Sequence, residues 1–301
     1  MKAATGQGKS EPELSVILVN YNDRVHLEAC LASLQNALAG QSAEVILVDN
    51  RSSDGSQALV ESRFPWVRLI ENEQNAGYPR GNNTGFRQSR GEYILFLNTD
   101  TVMPAAAPPA LLAEIKARPE VGAVGPALVR EDGRFQVSFG KRVGFFSEFR
   151  QKLILNPYHR IALRYSRKPR EVGWLSGACL LVRRAAIEKV GLFDEDFFLY
   201  FEDIDLCRRI AAQGFKLVFL PTAQVCHVGG AATSTRHWQS RLEYRRSQLY
   251  FYRKHNPPLS LWLLRLYLKA SLLALRARPA RDEERKLFRQ GLRESLDRRA
   301  T

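Results

Sequence analysis

With 301 residues, 45% of them hydrophobic and 25% charged, the chain suffices for one large domain or two modest ones and is no disordered polymer or collagen-like repeat. Its formal net charge of +14 is uneven: positions 236–301 hold 17 Lys/Arg against 6 Asp/Glu, so a nearly neutral body carries a basic tail. The four cysteines, Cys30, Cys179, Cys207 and Cys226, form no CxxC pair, which argues against a disulfide scaffold or zinc ribbon and fits a reducing cytosol.

Residues 1–13 read as a flexible polar N-terminus; no apolar core precedes Leu14, so no secretory leader is expected. Leu14–Asn20 is a β-branched run that predicts a buried strand, and apolar residues at 27, 31, 34 and 38 predict a helix over Val25–Leu38. Glu44–Asp49 is a second strand, stopped by the turn formers Asn50–Gly55. Strand, helix and strand within this span make a βαβ unit. Ser56–Phe64 is helix-like, Val67–Glu71 a third strand, Gly81–Ser89 a further helix and Tyr93–Leu97 a central strand. Pro108–Arg118 (helix) and Val121–Gly125 (strand) follow. From Gly140 to Arg170 no period emerges and aromatics mix with bases, as in a long insertion or lid. Order returns over Val172–Val182. Helices are predicted for Arg184–Val190 and Glu202–Ala212, and a late strand for Lys216–Leu220, before Pro221.

This alternation predicts an α/β fold with ligands at the carboxyl ends of its strands. Three of those ends are polar: Asn20–Asp23, Asp49–Asp54 and Asn98–Asp100. Asp49, helped by Asn20, Tyr21 and Asn22, could receive a nucleotide base. Asn75–Gly77 and Gly81–Asn83, including Asn82, offer small residues and amides where backbone must approach a ligand. There is no Walker sequence and no GxGxxG after a strand, which weakens ATP P-loop and NAD readings. Asp100, after Asn98 and Thr99, could hold Mg²⁺ or Mn²⁺ bridging two phosphates, with His227 as second ligand; a histidine beside glycines can equally be structural. Tyr200–Leu206 packs Glu202, Asp203 and Asp205 into four positions beside Phe197, Phe198, Tyr200 and Phe201. Acids at a helix start are favoured by the helix dipole alone. An apolar wall would also raise a carboxylate towards the range of a general base.

These residues together resemble glycosyltransferase family 2, and most closely its bacterial rhamnosyltransferase-like branch. The pieces are Val16–Asn22, Val48–Gly55, Asn72–Gly85, Phe96–Asp100, Gly173–Ala178, Phe193–Asp205 and His227–Gly230. The resemblance implies a GT-A fold, a Rossmann-like and mostly parallel central sheet flanked by helices. It implies an enzyme domain over 14–235, with a nucleotide-binding half near 14–125 and an acceptor half near 126–235. It also implies inverting transfer of a sugar, with dTDP-rhamnose favoured, from a nucleotide-diphosphate donor to a hydroxyl of a cell-surface glycan or lipid-linked precursor. By the same resemblance Asp49 contacts the base, Asp100 belongs to the metal-binding DxD-type element, and His227 completes the metal site. Asp203, paired with Glu202, would deprotonate the acceptor, and Trp174, Ser176 and Gly177 would line the sugar and acceptor cleft. Asn98 stands where a DxD element has its first Asp, so the metal site is left with one carboxylate.

The segment 236–301 reads as a basic helical extension. Leu259–Leu275 is strongly apolar, interrupted by Arg265 and Lys269 on one face, as expected of a helix lying on an anionic membrane surface. Packing on the catalytic body or on a second subunit, making a homo-oligomer, is the alternative; a nucleic-acid partner leaves the leucines unexplained. No run of about 18 uncharged apolar residues predicts a spanning helix. The expected location is therefore cytoplasmic, peripheral on the inner face of the cell membrane. Two rival functions remain at this point: a sugar nucleotidyltransferase, and a non-catalytic membrane-associated glycan-binding module.

Overall fold

Short leucine- and valine-rich strands, spaced by helices with one apolar face, build a sheet with a core on each side. The computed structural model describes residues 11–141, 143–145, 168–229, 237–276 and 283–297. Its strands are β1 (Leu14–Asn20), β2 (Ala43–Asp49), β3 (Arg68–Glu71), β4 (Tyr93–Asn98), β5 (Thr101–Val102), β6 (Val121–Val129), β7 (Phe135–Gln136), β8 (Phe139–Gly140), β9 (Arg170–Val172), β10 (Trp174–Leu175), β11 (Cys179–Arg183) and β12 (Lys216–His227). The helices are α1 (Arg24–Ala37), α2 (Ser56–Arg63), α3 (Tyr78–Gln88), α4 (Ala107–Ala117), α5 (Arg184–Val190), α6 (Glu202–Ala212), α7 (His237–His255), α8 (Pro258–Arg276) and α9 (Glu283–Asp297).

The sheet runs β3-β2-β1-β4-β11-β6-β12-β5. β1 to β4 are mutually parallel, β6 and β12 are parallel to each other, and β11 lies antiparallel between β4 and β6. Side chains alternate across it. Val16, Leu18, Leu95 and Leu97 enter one core with Leu27, Leu31 and Leu34 of α1, while Ile17, Ile94 and Phe96 enter the other with Leu206 and Ile210 of α6. Register places Asn20 beside Asp49 and Val19 beside Asn98, so the polar strand ends share one edge of the sheet.

The structure moves several predicted boundaries. Helix α3 begins at Tyr78 rather than Gly81, with Pro79 in its first turn, where a missing N–H costs nothing. The ordered run Val172–Val182 holds the last residue of β9, all of β10 and most of β11. Strand β12 does not stop before Pro221 but continues to His227; Pro221 sits where the register to β6 shifts, between Leu220 and Gln224, and no ladder N–H is needed there. His227 is thus the last residue of a strand rather than a residue beyond a turn. Most of the predicted insertion at 140–170, and Gly230, lie outside the described residues.

A third core joins the C-terminal helices to the body. Leu242, Phe251 and Tyr252 of α7, Leu264, Leu268 and Leu272 of α8, and Phe288, Leu292 and Leu296 of α9 pack with Phe197 and Phe201. Packing on the body therefore accounts for one face of α8, and Glu283–Asp297 is a packed helix.

Candidate active site

The donor end of the cleft is a knot of side chains at the ends of β1 and β2. Asp49 is fully buried, and its carboxylate accepts Asn20 Nδ2 (2.8 Å), the Ser52 hydroxyl and N–H (both 2.7 Å) and Gln57 Nε2 (2.8 Å). All its lone-pair directions are taken, so in this arrangement Asp49 organises the loop instead of presenting a free carboxylate to a base. Asn22, in the left-handed region at φ 53°, accepts the Ser53 N–H at 2.7 Å, tying the β1 loop to the β2 loop. Asn75 Oδ1 accepts the Gly77 N–H (3.1 Å). Gly77 has φ 84°, and a Cβ there would lie 2.6 Å from the Phe198 carbonyl oxygen, so only glycine fits. Asn82 is buried and bonds the Tyr78 carbonyl at 2.9 Å; its Oδ1 has no partner among the described residues. Gly81 serves packing rather than a ligand: an added Cβ would meet Val19 of β1 at 2.6 Å.

At the end of β4, Asp100 Oδ1 lies 3.1 Å from His227 Nε2, both side chains being little exposed (14% and 12%). The pairing of β5 with β12 brings them together by setting His227 opposite Thr101. Behind the ring, His227 Nδ1 meets Gln136 Oε1 at 3.0 Å. With the ring neutral and Nδ1–H donating to Gln136, Nε2 turns a lone pair towards a carboxylate, an arrangement of two electron-rich atoms that a cation suits. With Nε2–H donating to Asp100 instead, the hydrogen bond and charge of His227 outweigh the burial that pushes the Asp100 carboxyl up and hold it below the usual range. The 3.1 Å separation is close to that of neighbouring ligands about 2.1 Å from an octahedral ion. These residues therefore fit a divalent cation as a two-ligand site whose remaining positions are open to phosphate oxygens and water. Asn98 Nδ2 stands 3.5 Å from His227 Nε2, beside this pair. Thr99 is not free for a ligand: its hydroxyl donates to Asp23 (2.8 Å), which also pairs with His26 at 2.6 Å.

Across the cleft, Asp203 in the first turn of α6 accepts the Gly177 N–H at Oδ2 (2.7 Å) and the Ile204 N–H at Oδ1 (2.8 Å). The next residue, Ala178, accepts the Asn98 N–H at 3.0 Å, so Gly177–Ala178 bridges the half-buried Asp203 to the end of β4 that leads to Asp100. Tyr78 spans the same gap, its hydroxyl donating to the Gly177 carbonyl at 3.1 Å; burial and the charges of Glu202, Asp203 and Asp100 all raise its phenol. Ser176 accepts the Ala178 N–H (3.3 Å), and Trp174 stands on β10 against Gly140. Burial pushes Asp203 up, with the two backbone N–H groups opposing. Glu202 is wholly buried and is pushed far higher by burial and then by Asp203 beside it; its Oε2 has no partner among the described residues. Of this pair, burial opposes ionisation more strongly at Glu202 than at Asp203, which the two backbone N–H groups help to carry charge.

Sequence reasoning gave no individual role to Tyr78, Gln136, Asp23 or the Ser52–Gln57 support of Asp49, although Asp23 and Ser52 lie in the polar strand ends it marked. Tyr78 adjoins the quoted Asn75–Gly77 and was within reach; Gln136 lies on a two-residue strand with no periodic signal.

The sheet, with the Asp100–His227 pair at one strand end and Asp203 across a narrow bridge, defines a glycosyltransferase of the GT-A type. A mannosyltransferase from Pyrobaculum calidifontis, solved with GDP-Man and Mn²⁺, superimposes with a TM-score of 0.59 over 98% of this chain and 88% of its own, at 18% identity, a likeness of fold. The family model described as glycosyl transferase family 2 matches residues 15–191. An N-acetylglucosaminyl-diphospho-decaprenol L-rhamnosyltransferase of Mycobacterium tuberculosis is 36% identical over 234 residues, 71% of this chain and 75% of that one. An O-antigen biosynthesis protein, RfbC, of Myxococcus xanthus is 32% identical over 257 residues, 79% of this chain and 19% of its own length. The chain belongs to glycosyltransferase family 2. The nucleotidyltransferase and non-catalytic alternatives give way to it. The family match ends before α6, so the assignment of Asp203 and His227 rests on the geometry above.

Proposed function

We propose that the enzyme transfers a sugar, rhamnose from dTDP-rhamnose, with inversion, to a hydroxyl of a lipid-linked glycan precursor. The observation that supports this reading is the Asp203–Gly177–Ala178–Asn98 bridge, which links the carboxylate of Asp203 to the strand end beside the Asp100–His227 pair. Asp100 and His227 would hold Mg²⁺ or Mn²⁺, whose chemistry is to offset the charge growing on a departing diphosphate. Asp203 accepts the acceptor's hydroxyl proton as that oxygen bonds the anomeric carbon and the carbon–phosphate oxygen bond breaks. A single displacement of this kind inverts the centre, as in inverting hydrolases with water as acceptor. Burial, and Asp203 beside it, oppose a second negative charge at Glu202 in the base's surroundings. The rhamnosyltransferase named above supports the choice of donor and of a lipid-linked acceptor.

The same proposal places the enzyme on the cytoplasmic face of the membrane. No helix among the described residues is long and apolar enough to cross one. The outer face of α8, opposite its buried leucines, exposes Leu259 (63%), Trp262 (58%), Leu266 (51%) and Leu273 (62%), with Lys269 alongside, as an interfacial helix does. A second copy covering that face is the competing arrangement, and vesicle flotation beside a sedimentation measurement separates the two.

The test of function is release of nucleoside diphosphate from dTDP-rhamnose, with Mn²⁺, in the presence and absence of a diphospholipid-linked N-acetylglucosamine acceptor. Acceptor-dependent release is expected. Equal release without acceptor, or release only from another sugar nucleotide, refutes the corresponding part of the proposal.

A further inference from the structure

Immediately before α6 the backbone is strained: Tyr200 and Phe201 are consecutive non-glycine residues in the left-handed region, at φ 70° and 67°. Bulky side chains rarely adopt this conformation, and it persists only where the surroundings impose it. The turn they make fixes the first turn of α6, and with it the carboxylate of Asp203.

What imposes it is α7, from the basic extension. Ser240, Tyr244, Ser247, Phe251 and His255 recur at spacings of four and three and so share one face of that helix. The Ser240 hydroxyl hydrogen-bonds Tyr200. Tyr244 packs against the rings of both Tyr200 and Phe201 (centroids 5.7 and 5.2 Å), and Phe251 against Phe201 (5.4 Å). The Ser247 hydroxyl donates to the Leu199 carbonyl at 2.7 Å. One turn further on, His255 Nε2 and Lys254 Nζ reach Asp205 Oδ1 at 2.6 and 2.7 Å, two residues from Asp203. Lys254 also bonds Asp194 (2.6 Å). The face thus grips the turn from Leu199 to Asp205 at both ends.

We propose that α7 is a positioning clamp of the catalytic apparatus, with Ser247 and His255 holding the Leu199–Asp205 turn in the strained form that aims Asp203 at the bridge to Asn98. The basic segment is then part of the machinery of transfer as well as a surface. This rests on the reading of Asp203 as base, but the clamp itself is a statement about the turn and has its own readout.

The test compares Ser247→Ala, His255→Leu and His255→Gln in the full-length protein, the last keeping a donor for Asp205. Hydrogen exchange of the amides from 199 to 205 is followed beside those of β1 and β4, together with kcat and donor KM. Ser247→Ala and His255→Leu should speed exchange in the turn alone and lower kcat about tenfold with donor KM changed less than about twofold, since a misaimed base costs rate and not donor binding. His255→Gln should recover most of both. Unchanged exchange in the turn, or faster exchange spread equally through β1 and β4, overturns the clamp. If the wild-type chain releases no nucleoside diphosphate, the functional reading fails, while exchange in the turn still decides the clamp.

Discussion

Replacing Asp203 with Asn is the perturbation that bears hardest on the mechanism. The side chain keeps its shape but cannot take a proton. The neighbouring carboxylate is a poor substitute, because Glu202 is wholly buried and burial opposes its ionisation. General-base catalysis of this kind contributes about 10²- to 10⁴-fold, or about 2.7–5.4 kcal/mol of barrier. Asp203 accepts one backbone N–H on each oxygen, from Gly177 and from Ile204. In either orientation the Asn amide turns an NH₂ towards one of them, adding a local cost of about 1–3 kcal/mol. Asp203 makes no hydrogen bond to the Asp49 loop or to the Asp100–His227 pair, so the donor end keeps its geometry. Nucleoside diphosphate release under saturating acceptor should therefore fall by about 10³-fold, while donor Kd by calorimetry stays within about twofold. A fall in kcat of less than about tenfold, or a parallel loss of donor affinity, would refute the assignment of the base.

Glu202→Gln removes a buried carboxyl whose ionisation burial and Asp203 oppose, and should leave thermal stability at pH 7 equal or higher, with kcat reduced far less than in Asp203→Asn. Because burial raises Asp203, the acid limb of the kcat–pH profile should lie above the ordinary aspartate range, with activity present above it and lost as pH falls through it. His227→Ala should weaken Mn²⁺-dependent donor binding more than about tenfold, with no effect when the metal is chelated, both read by calorimetry. Gly77→Ala forces a Cβ against the Phe198 carbonyl at a positive φ and should cost about 1–3 kcal/mol in denaturant unfolding. Burial alone would raise Asp205, but hydrogen bonding from His255, the charge of Arg209 and bonds from Lys254 and Arg209 lower it to about 2. It therefore contributes about 2 kcal/mol that is present above its unfolded value of 3.8 and lost as pH falls through about 2. Wild type and Asp205→Asn should converge in stability over that interval.

The strands and their polar ends were legible because buried parallel strands are continuous apolar runs and the ladder fixes which ends meet. Asn20, Asp49 and Asn98 line one sheet edge for that reason. The part carried by loops was legible only by family resemblance. That Asp203 faces Gly177 depends on a left-handed turn at Tyr200 and Phe201, which no propensity favours and which long-range contacts from α7 impose. Asp49 was rightly marked as important, yet its four internal hydrogen bonds belong to Ser52, Gln57 and Asn20, partners that spacing alone does not reveal. Pro221 misled the reading of β12, because a proline at a register shift need not end a strand. The charge of the C-terminal segment drew attention to lipid, whereas one apolar face of its helices closes a third core.

The account turns on a single displacement assisted by one carboxylate, and the anomeric configuration of the first product records that directly. Nuclear magnetic resonance on glycoside formed within one turnover should show the centre inverted relative to the sugar nucleotide. A product of retained configuration would require a second nucleophile on the enzyme and would contradict the roles given to Asp203 and the bridge that holds it.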